Sequence, residues 1–132
     1  MKTSNYRKIA YQVIDLEIQA LKKLKKSINS SFDQAVNAIV KCQSKIVLCG
    51  VGKSFLIASK ISATLSSVGC PSFSLAASDS AHGDLGSLSK KDILILISNS
   101  GETQELKPVI QFRLQILLEQ WWFKMLIINF LI

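Results

Sequence analysis

Apolar residues follow two patterns along this chain, spaced stripes and short unbroken runs. One stripe near the amino terminus has helical spacing and consists of Ile14, Ile18, Leu21, Leu24 and Ile28. It predicts an amphipathic N-terminal helix. Two unbroken runs, residues 45–49 and 92–97, have the length and apolar character of buried parallel strands.

Further elements are predicted between and beside these runs. A second helix is expected to run from Ser31, as its N-cap, to about residue 41. Residues 72–75 form a second short strand, and residues 76–88 a long polar loop. A helix before that strand is predicted to end at Gly69 and to present one apolar face, composed of Ile57, Ile61, Leu65 and Val68.

Alternating strands and helices favour an α/β fold with a doubly wound parallel sheet and right-handed crossovers. The carboxyl ends of parallel strands lie along one edge of a sheet. Polar segments follow the first strand, at residues 50–54, and the third strand, at residues 98–103. We therefore expect the functional residues of the chain to lie close together at this edge, where α/β proteins bind anionic ligands.

Composition and charge exclude several classes of protein. At 132 residues and 48% hydrophobic content, one folded globular domain is expected. Much of the +7 net charge lies in residues 1–45, which hold nine Lys or Arg against three acidic residues. One interpretation of these basic residues is a nucleic-acid-binding patch. No aromatic residues interleave with the lysines, however, as they do in many such patches. The basic residues are therefore interpreted as the solvated face of an amphipathic helix. No nucleic-acid partner is expected.

The cysteines and the amino terminus indicate the compartment. The chain has an odd number of cysteines, Cys42, Cys49 and Cys70, and no Cys-x-x-Cys pair. It also has only one histidine. This favours free thiols in a reducing cytoplasm over disulfides or a zinc site, so no metal is expected. The first residues lack the apolar core of a secretion signal, which also favours the cytoplasm.

The first polar segment, Gly50-Val51-Gly52-Lys53-Ser54, resembles a nucleotide-binding loop only superficially. A Walker A loop needs a glycine where this chain has Val47, and a dinucleotide fingerprint needs one where it has Phe55. What remains is a tight turn between strand and helix. The turn either has no further role or lets the backbone approach a ligand, with Lys53 or Ser54 directed at it.

The second polar segment, Ser98-Asn99-Ser100-Gly101-Glu102-Thr103, carries three hydroxyls within six residues. Helix capping would account for one or two of them. A phosphate group would use Ser98, Ser100 and Thr103 together, with Gly101 allowing close approach. Glu102 and Glu105 are then the nearby carboxylates available for acid–base chemistry.

His82 is the single histidine of the chain and lies in Ser80-Ala81-His82-Gly83-Asp84-Leu85-Gly86. A single histidine is most often an ordinary surface or core residue. This one is surrounded by small residues in a predicted loop, where packing gives no reason for an imidazole and where functional groups concentrate. It is therefore a candidate catalytic residue.

Taken together, these three segments resemble the sugar isomerase (SIS) domain, and within it the D-arabinose 5-phosphate isomerases of the KpsF/GutQ type. The likeness extends over roughly residues 5–112. It implies a flavodoxin-like sheet, a homo-oligomer with shared active sites, a phosphorylated sugar as substrate and no cofactor. The reaction it implies converts D-arabinose 5-phosphate to D-ribulose 5-phosphate through an enediol, which supplies a precursor of the lipopolysaccharide sugar Kdo.

Site residues also follow from the resemblance. The implied catalytic residues are Lys53, His82 and Glu105. The implied substrate-binding residues are Gly50, Gly52, Ser54, Ser98, Asn99, Ser100, Gly101 and Thr103.

The resemblance also predicts a division of the chain. Residues 1–44 are N-terminal helices, residues 45–112 a partial SIS domain, and residues 113–132 a divergent hydrophobic tail. Family members continue with further strands and usually with CBS domains, so the tail is interpreted as an out-of-frame end of a truncated, inactive isomerase. A membrane anchor or a replacement strand are the alternatives for the tail. Polar residues interrupt it too often for a spanning helix, and no membrane partner is expected.

Overall fold

The computed structural model describes residues 5–80, 83–117 and 125–129. The chain has two compact units, Met1–Gln34 and Ala35–Leu131. In chain order the elements are α1 (Tyr6–Ser27), α2 (Ser30–Val40), β1 (Ile46–Gly50), α3 (Lys53–Ser67), β2 (Ser72–Ala76), a 3-10 helix (Asp84–Ser87), β3 (Ile93–Ser98), α4 (Leu106–Leu117) and β4 (Met125–Asn129).

The strands form an open parallel sheet with the order β2-β1-β3-β4. In β1, Ile46 is aligned with Ser72 of β2 on one side and with Ile93 of β3 on the other. The predicted α/β class and parallel sheet are confirmed. Because the chain moves from β1 to β2 and then returns to the other side of β1, the winding reverses between β1 and β3. Ligand sites of α/β proteins occur at such reversals.

Both faces of the sheet are covered by helices. Alternate strand residues such as Val47 and Leu96 pack with Leu106 and Val109 of α4 on one face. On the other face, Leu48 and its neighbours pack with α2 and α3. The unbroken apolar sequence of β1 and β3 follows from this arrangement, because every residue of both strands is buried.

The apolar face predicted for α3 is only partly right. Ile61 and Leu65 pack against the sheet, but Ile57 is 42% exposed and Val68 is 74% exposed. The buried residues of α3 are the small ones, Ala58 and Ser62, which allow the helix to lie close to the strands. The prediction for Ile57 and Val68 is wrong because small residues, rather than the apolar stripe as a whole, define the contact face.

Three helix ends show how local sequence sets the boundaries. Gly69, with φ +83°, ends α3 as predicted, and the amide of Cys70 donates to the carbonyl of Leu65. The predicted N-cap Ser31 is wrong, since it lies inside α2 and its amide donates to the side chain of Asn29. α4 begins at Leu106, so Pro108 falls in the first turn, where a missing amide proton is tolerated.

The outer edge of β3 is paired with a strand from the tail. A sheet of three strands would leave that edge unpaired, but β4 pairs with β3 in parallel, with Leu94 aligned with Met125 and Ser98 with Asn129. Of the alternatives named for the tail, a replacement strand is the one that the backbone of residues 125–129 supports. Residues 118–124 and 130–132 of the tail lie outside the described residues.

At the amino ends of β1 and β3, a polar cluster around the buried side chains of Asp92 and Arg113 ties α4 to the sheet. Asp92 Oδ1 accepts from Ser44 Oγ at 2.6 Å, and Asp92 Oδ2 forms an ion pair with Lys45 Nζ at 2.9 Å. Oδ2 also accepts from the amide of Ser89 at 2.7 Å. Arg113 of α4 donates to the backbone carbonyls of Ser89 and Asp92. We call these five residues the amino-edge cluster.

α1 is a helix of 22 residues, capped at its start by Asn5, whose side chain accepts from the amide of Lys8 at 3.2 Å. Lys25 and Lys26 lie in the last turn, where cations interact favourably with the helix dipole. No residue of α1 is buried. Among the described residues, none of the helices combines the length and the apolar character that crossing a membrane requires.

Candidate functional site

The candidate site lies at the carboxyl ends of β1 and β3, where the winding of the sheet reverses. Gly50 ends β1 and Ser98 ends β3. Since these strands are adjacent and parallel, the two loops that follow them leave the same edge of the sheet side by side. The two polar segments singled out in the sequence are therefore brought to one place.

The first loop is a tight turn that only glycine at position 50 allows. A Cβ atom on Gly50 would lie 2.8 Å from the backbone carbon of Ser54 and 2.9 Å from the nitrogen of Phe55. Gly52 precedes α3 with φ +54° and ψ −121°, a conformation that L side chains rarely adopt. The turn thus presents the first turn of α3, with its positive dipole end, at the edge of the sheet.

Lys53 and Ser54 begin α3 beside this turn. Lys53 is exposed and Ser54 half-buried. The amide of Ser54 donates to the carbonyl of Val51 at 3.0 Å, which closes the turn. A cation and a hydroxyl at a helix N-terminus are suited to bind an anion, with the ammonium group supplying charge and the hydroxyl a directed hydrogen bond.

The second loop is folded around Ser98. This serine is buried, and its Oγ lies 2.8 Å from Thr103 Oγ1 and accepts from the amide of Gly101 at 2.9 Å. Gly101 has φ +73°, which allows the chain to turn back over the strand end. The loop is therefore held by hydroxyl contacts, and one hydroxyl proton in the Ser98–Thr103 pair can be redirected to a ligand.

The outer residues of this loop face solvent. Asn99 and Ser100 are exposed, and Ser100 Oγ accepts from the amide of Glu102 at 3.2 Å. Glu102 and Glu105 are exposed as well. Of the predicted binding residues, Ser98 and Thr103 shape the loop, whereas Asn99 and Ser100 are accessible to a ligand.

Not every predicted catalytic residue is placed by the structure. Lys53 and Glu105 follow the two adjacent loops, whereas His82 lies outside the described residues. Gly83, which follows it, has φ +106° and precedes the 3-10 helix Asp84–Ser87. Within the ranges described, no group of three or more His, Cys, Asp or Glu side chains could hold a metal ion.

Cys49 lies directly before the first loop and is fully buried. Burial raises the pKa of its thiol to about 12, so it stays protonated near neutral pH and is a poor nucleophile. Its role is to pack within the core beneath the site. All three cysteines are free.

The sequence analysis missed the amino-edge cluster, which supports the site from the opposite end of the strands. The sequence pattern identifies Asp92 only as the first residue of a strand. A signal was present, since an acidic residue directly before a run of five apolar residues has to be paired when that strand is buried. Its partner Arg113 lies 21 residues further on, and no sequence pattern connects the two.

An open parallel sheet with glycine-containing, hydroxyl-rich loops at its winding reversal defines an α/β domain of the kind that binds phosphorylated ligands. The family model of the SIS domain matches residues 39–115. The chain therefore belongs to the SIS-domain family, as the sequence motifs predicted. The match extends slightly beyond residue 112, where the likeness was expected to end.

Individual relatives agree with this assignment. The chain is 41% identical over 106 residues to arabinose 5-phosphate isomerase KdsD of Yersinia pestis, covering 80% of this chain and 32% of the relative. It is 39% identical over 99 residues to arabinose 5-phosphate isomerase GutQ of Escherichia coli K12, covering 75% and 31%. The chain thus spans about a third of the length of the curated relatives that it matches.

A solved structure from E. coli CFT073, in complex with arabinose 5-phosphate, superimposes with a TM-score of 0.81. The two sequences are 36% identical, and the match covers 88% of this chain and 62% of the other. This likeness supports the fold described above and a sugar isomerase-like SIS protein.

Proposed function

We propose that this chain binds a phosphorylated sugar of the arabinose 5-phosphate class at the loops that follow β1 and β3. The observation that carries the proposal is the loop folded around Ser98 and Thr103, beside the N-terminus of α3. The relative solved with arabinose 5-phosphate shares this fold at 36% identity, which supports the choice of ligand. Assembly as a homo-oligomer, a cytoplasmic location and a link to Kdo synthesis belong to the same proposal.

The phosphate group is proposed to bind the Ser98–Thr103 loop. A phosphate dianion accepts hydrogen bonds only, so it can take those of the exposed Ser100 hydroxyl and one redirected from the Ser98–Thr103 pair. Lys53 and the first amides of α3 add positive potential from the adjacent loop. This arrangement would hold the sugar through its phosphate and leave the carbonyl end free.

We further propose that this chain on its own binds without turnover. An aldose–ketose isomerisation moves a proton from C2 of the open sugar to a base, forms an enediol, and returns the proton to C1. Glu105 is a candidate for this base, and Lys53 or His82 would stabilise the enediolate oxygen. Glu105 and Lys53 are both exposed, whereas this chemistry works best in a site that excludes water.

Ligand binding is tested by thermal unfolding with D-arabinose 5-phosphate, with unphosphorylated arabinose and inorganic phosphate as comparisons. We expect the sugar phosphate to raise the Tm most. Thr103→Val keeps the side-chain shape but removes the hydroxyl, and should weaken binding about 10-fold, since a hydrogen bond to a charged group contributes roughly 1.5–3 kcal/mol. Thr64→Val, on the exposed side of α3, is the matched control. Equal affinities of the two variants would contradict the proposed phosphate position.

Turnover is tested by measuring D-ribulose 5-phosphate formation by the wild-type chain and by Glu105→Gln. We expect both to show only the rate of the uncatalysed reaction while the wild-type chain still binds the sugar phosphate. Product formation that depends on Glu105 would show a working isomerase instead. Absence of both binding and turnover would leave a fragment without function, the remaining alternative.

A further inference from the structure

The carboxyl end of β2 lies at the same edge of the sheet as the loops of the candidate site. Strand β2 ends at Ala76, which is aligned with Gly50 of β1, and the amide of Ala77 donates to the carbonyl of Gly50 at 3.0 Å. The segment after β2 is therefore hydrogen-bonded to the first loop of the site. Along this edge the three strand ends follow in the order β2, β1, β3.

Residues 76–80 form a turn, which we call the β2 turn. Within it, Ser78 and Asp79 are exposed. The amide of Asp79 donates to the carbonyl of the last strand residue at 3.1 Å. The buried hydroxyl of Ser80 donates to the carbonyl of Ala77 at 2.7 Å. These hydrogen bonds on both sides of Asp79 fix its position beside the first loop.

The charge around the β2 turn differs from that around the first loop. Residues 61–89 contain no lysine or arginine, but they contain the carboxylates of Asp79 and Asp84 and the single histidine. The first loop instead leads directly into Lys53 and the positive dipole end of α3. An anionic group of a ligand is therefore attracted to the first loop, and a neutral group that carries hydroxyls suits the β2 turn.

We infer that Asp79 binds the hydroxyl groups at the end of the sugar remote from its phosphate, and that it thereby restricts the ligand to sugars with a single phosphate group. The inference rests on the proposed function. A carboxylate has about four acceptor positions, of which Ser78 Oγ uses one at 3.1 Å, so it can also accept from two neighbouring sugar hydroxyls. A second phosphate at this place would bring two negative groups together, which is unfavourable.

The spacing of the strands agrees with this orientation. Neighbouring strands lie about 5 Å apart, so the ends of β2 and β3 are separated by about 10 Å across β1. An open pentose phosphate has a comparable length. A ligand whose phosphate binds the Ser98–Thr103 loop can therefore extend past Gly50 as far as Asp79. In this orientation C1 and C2 of the sugar lie nearer to the β2 turn than to Glu105, which agrees with binding without turnover.

Binding of D-ribulose 5-phosphate and D-ribulose 1,5-bisphosphate to the full-length chain tests this role, because the two ligands differ only in the phosphate on C1. Titration calorimetry measures both affinities. We expect the wild-type chain to bind the monophosphate about 10-fold more tightly than the bisphosphate. Asp79→Asn should bind the monophosphate about 10-fold more weakly, since a neutral acceptor replaces a charged one, and should bind the bisphosphate more tightly. Asp79→Glu retains the charge and should retain the preference for the monophosphate.

The opposite changes in the two affinities distinguish a contact at Asp79 from a general change in charge. Asp84→Asn removes the same charge from the 3-10 helix and should not shift the two affinities in opposite directions. If it did so, the charge of the whole segment, rather than Asp79, would set the preference.

Three further results would overturn the inference. Asp79→Asn with both wild-type affinities would show that Asp79 does not contact the sugar, although the proposed phosphate site would stand. Equal affinities of the wild-type chain for the two ligands would refute the restriction to one phosphate group. A wild-type chain that binds neither ligand would refute the proposed function, and this inference with it.

Discussion

Replacing Asp92 with alanine should lower the free energy of unfolding by about 3–5 kcal/mol, the usual cost of removing one member of a buried ionic group. The Asp92 side chain is fully buried and holds Ser44, Lys45 and the amide of Ser89 together. Without it, the Ser89 amide loses its acceptor, and the buried guanidinium of Arg113 loses its compensating charge. Urea unfolding of the wild-type chain and the variant measures the difference.

Asp79→Ala is the matched control, since Asp79 is exposed and should change the free energy of unfolding by less than about 0.5 kcal/mol. Arg113→Ala should be destabilising as well, because Arg113 fixes α4 to the backbone at the start of β3. The two losses should not add, since both residues belong to one cluster. An Asp92→Ala variant as stable as the control would show that the amino-edge cluster does not stabilise the sheet.

The same carboxylate makes stability depend on acid pH. Burial opposes ionisation of Asp92, but hydrogen bonds from Ser44, Lys45 and Ser89 outweigh it and lower its pKa to about 2. A lowered pKa contributes stability above the unfolded value of about 4, and this is lost as the pH falls from about 4 to about 2. The contribution is about 2 kcal/mol. Asp92→Asn should lack it, which unfolding between these pH values would show.

The central strands could be predicted because a strand that is buried on both faces has apolar residues at successive positions. β1 and β3 are unbroken apolar runs, and each predicted strand begins and ends one residue before the observed one. Glycine residues also indicate helix boundaries, since Gly52 and Gly69 lie at the two ends of α3. Local rules therefore located the elements that position the site.

Features that depend on distant residues could not be predicted in this way. The face of α3 that contacts the sheet depends on how closely the helix and the sheet approach each other. The small residues Ala58 and Ser62 are buried there, whereas Ile57 is not. Pairing of β4 with β3 needs a partner edge that the tail sequence does not reveal. At the site, the sequence identified the hydroxyl-rich loop, but not that Ser98 and Thr103 hydrogen-bond to each other before any ligand arrives.

Gly50→Ala should both destabilise the fold, by about 3 kcal/mol, and abolish stabilisation by D-arabinose 5-phosphate. The added methyl group would lie within 3 Å of three backbone atoms of Ser54 and Phe55, which cannot rotate away as a flexible side chain could. The first turn of α3 must then shift away from the end of β1. Because Lys53 and the positive dipole end of α3 move with that turn, the proposed anion site would lose its second side.

Gly86→Ala separates this effect from the general cost of replacing glycine. A Cβ atom at Gly86 meets nothing within 4 Å, and its φ lies outside the positive range, so its free energy of unfolding should change by less than about 0.5 kcal/mol. Urea unfolding, and thermal unfolding with and without the sugar phosphate, measure both variants. If Gly50→Ala remained as stable as Gly86→Ala, the close contact in the turn would be refuted. If it lost stability but kept the full ligand-induced rise in Tm, the sugar phosphate would have to bind without the first turn of α3.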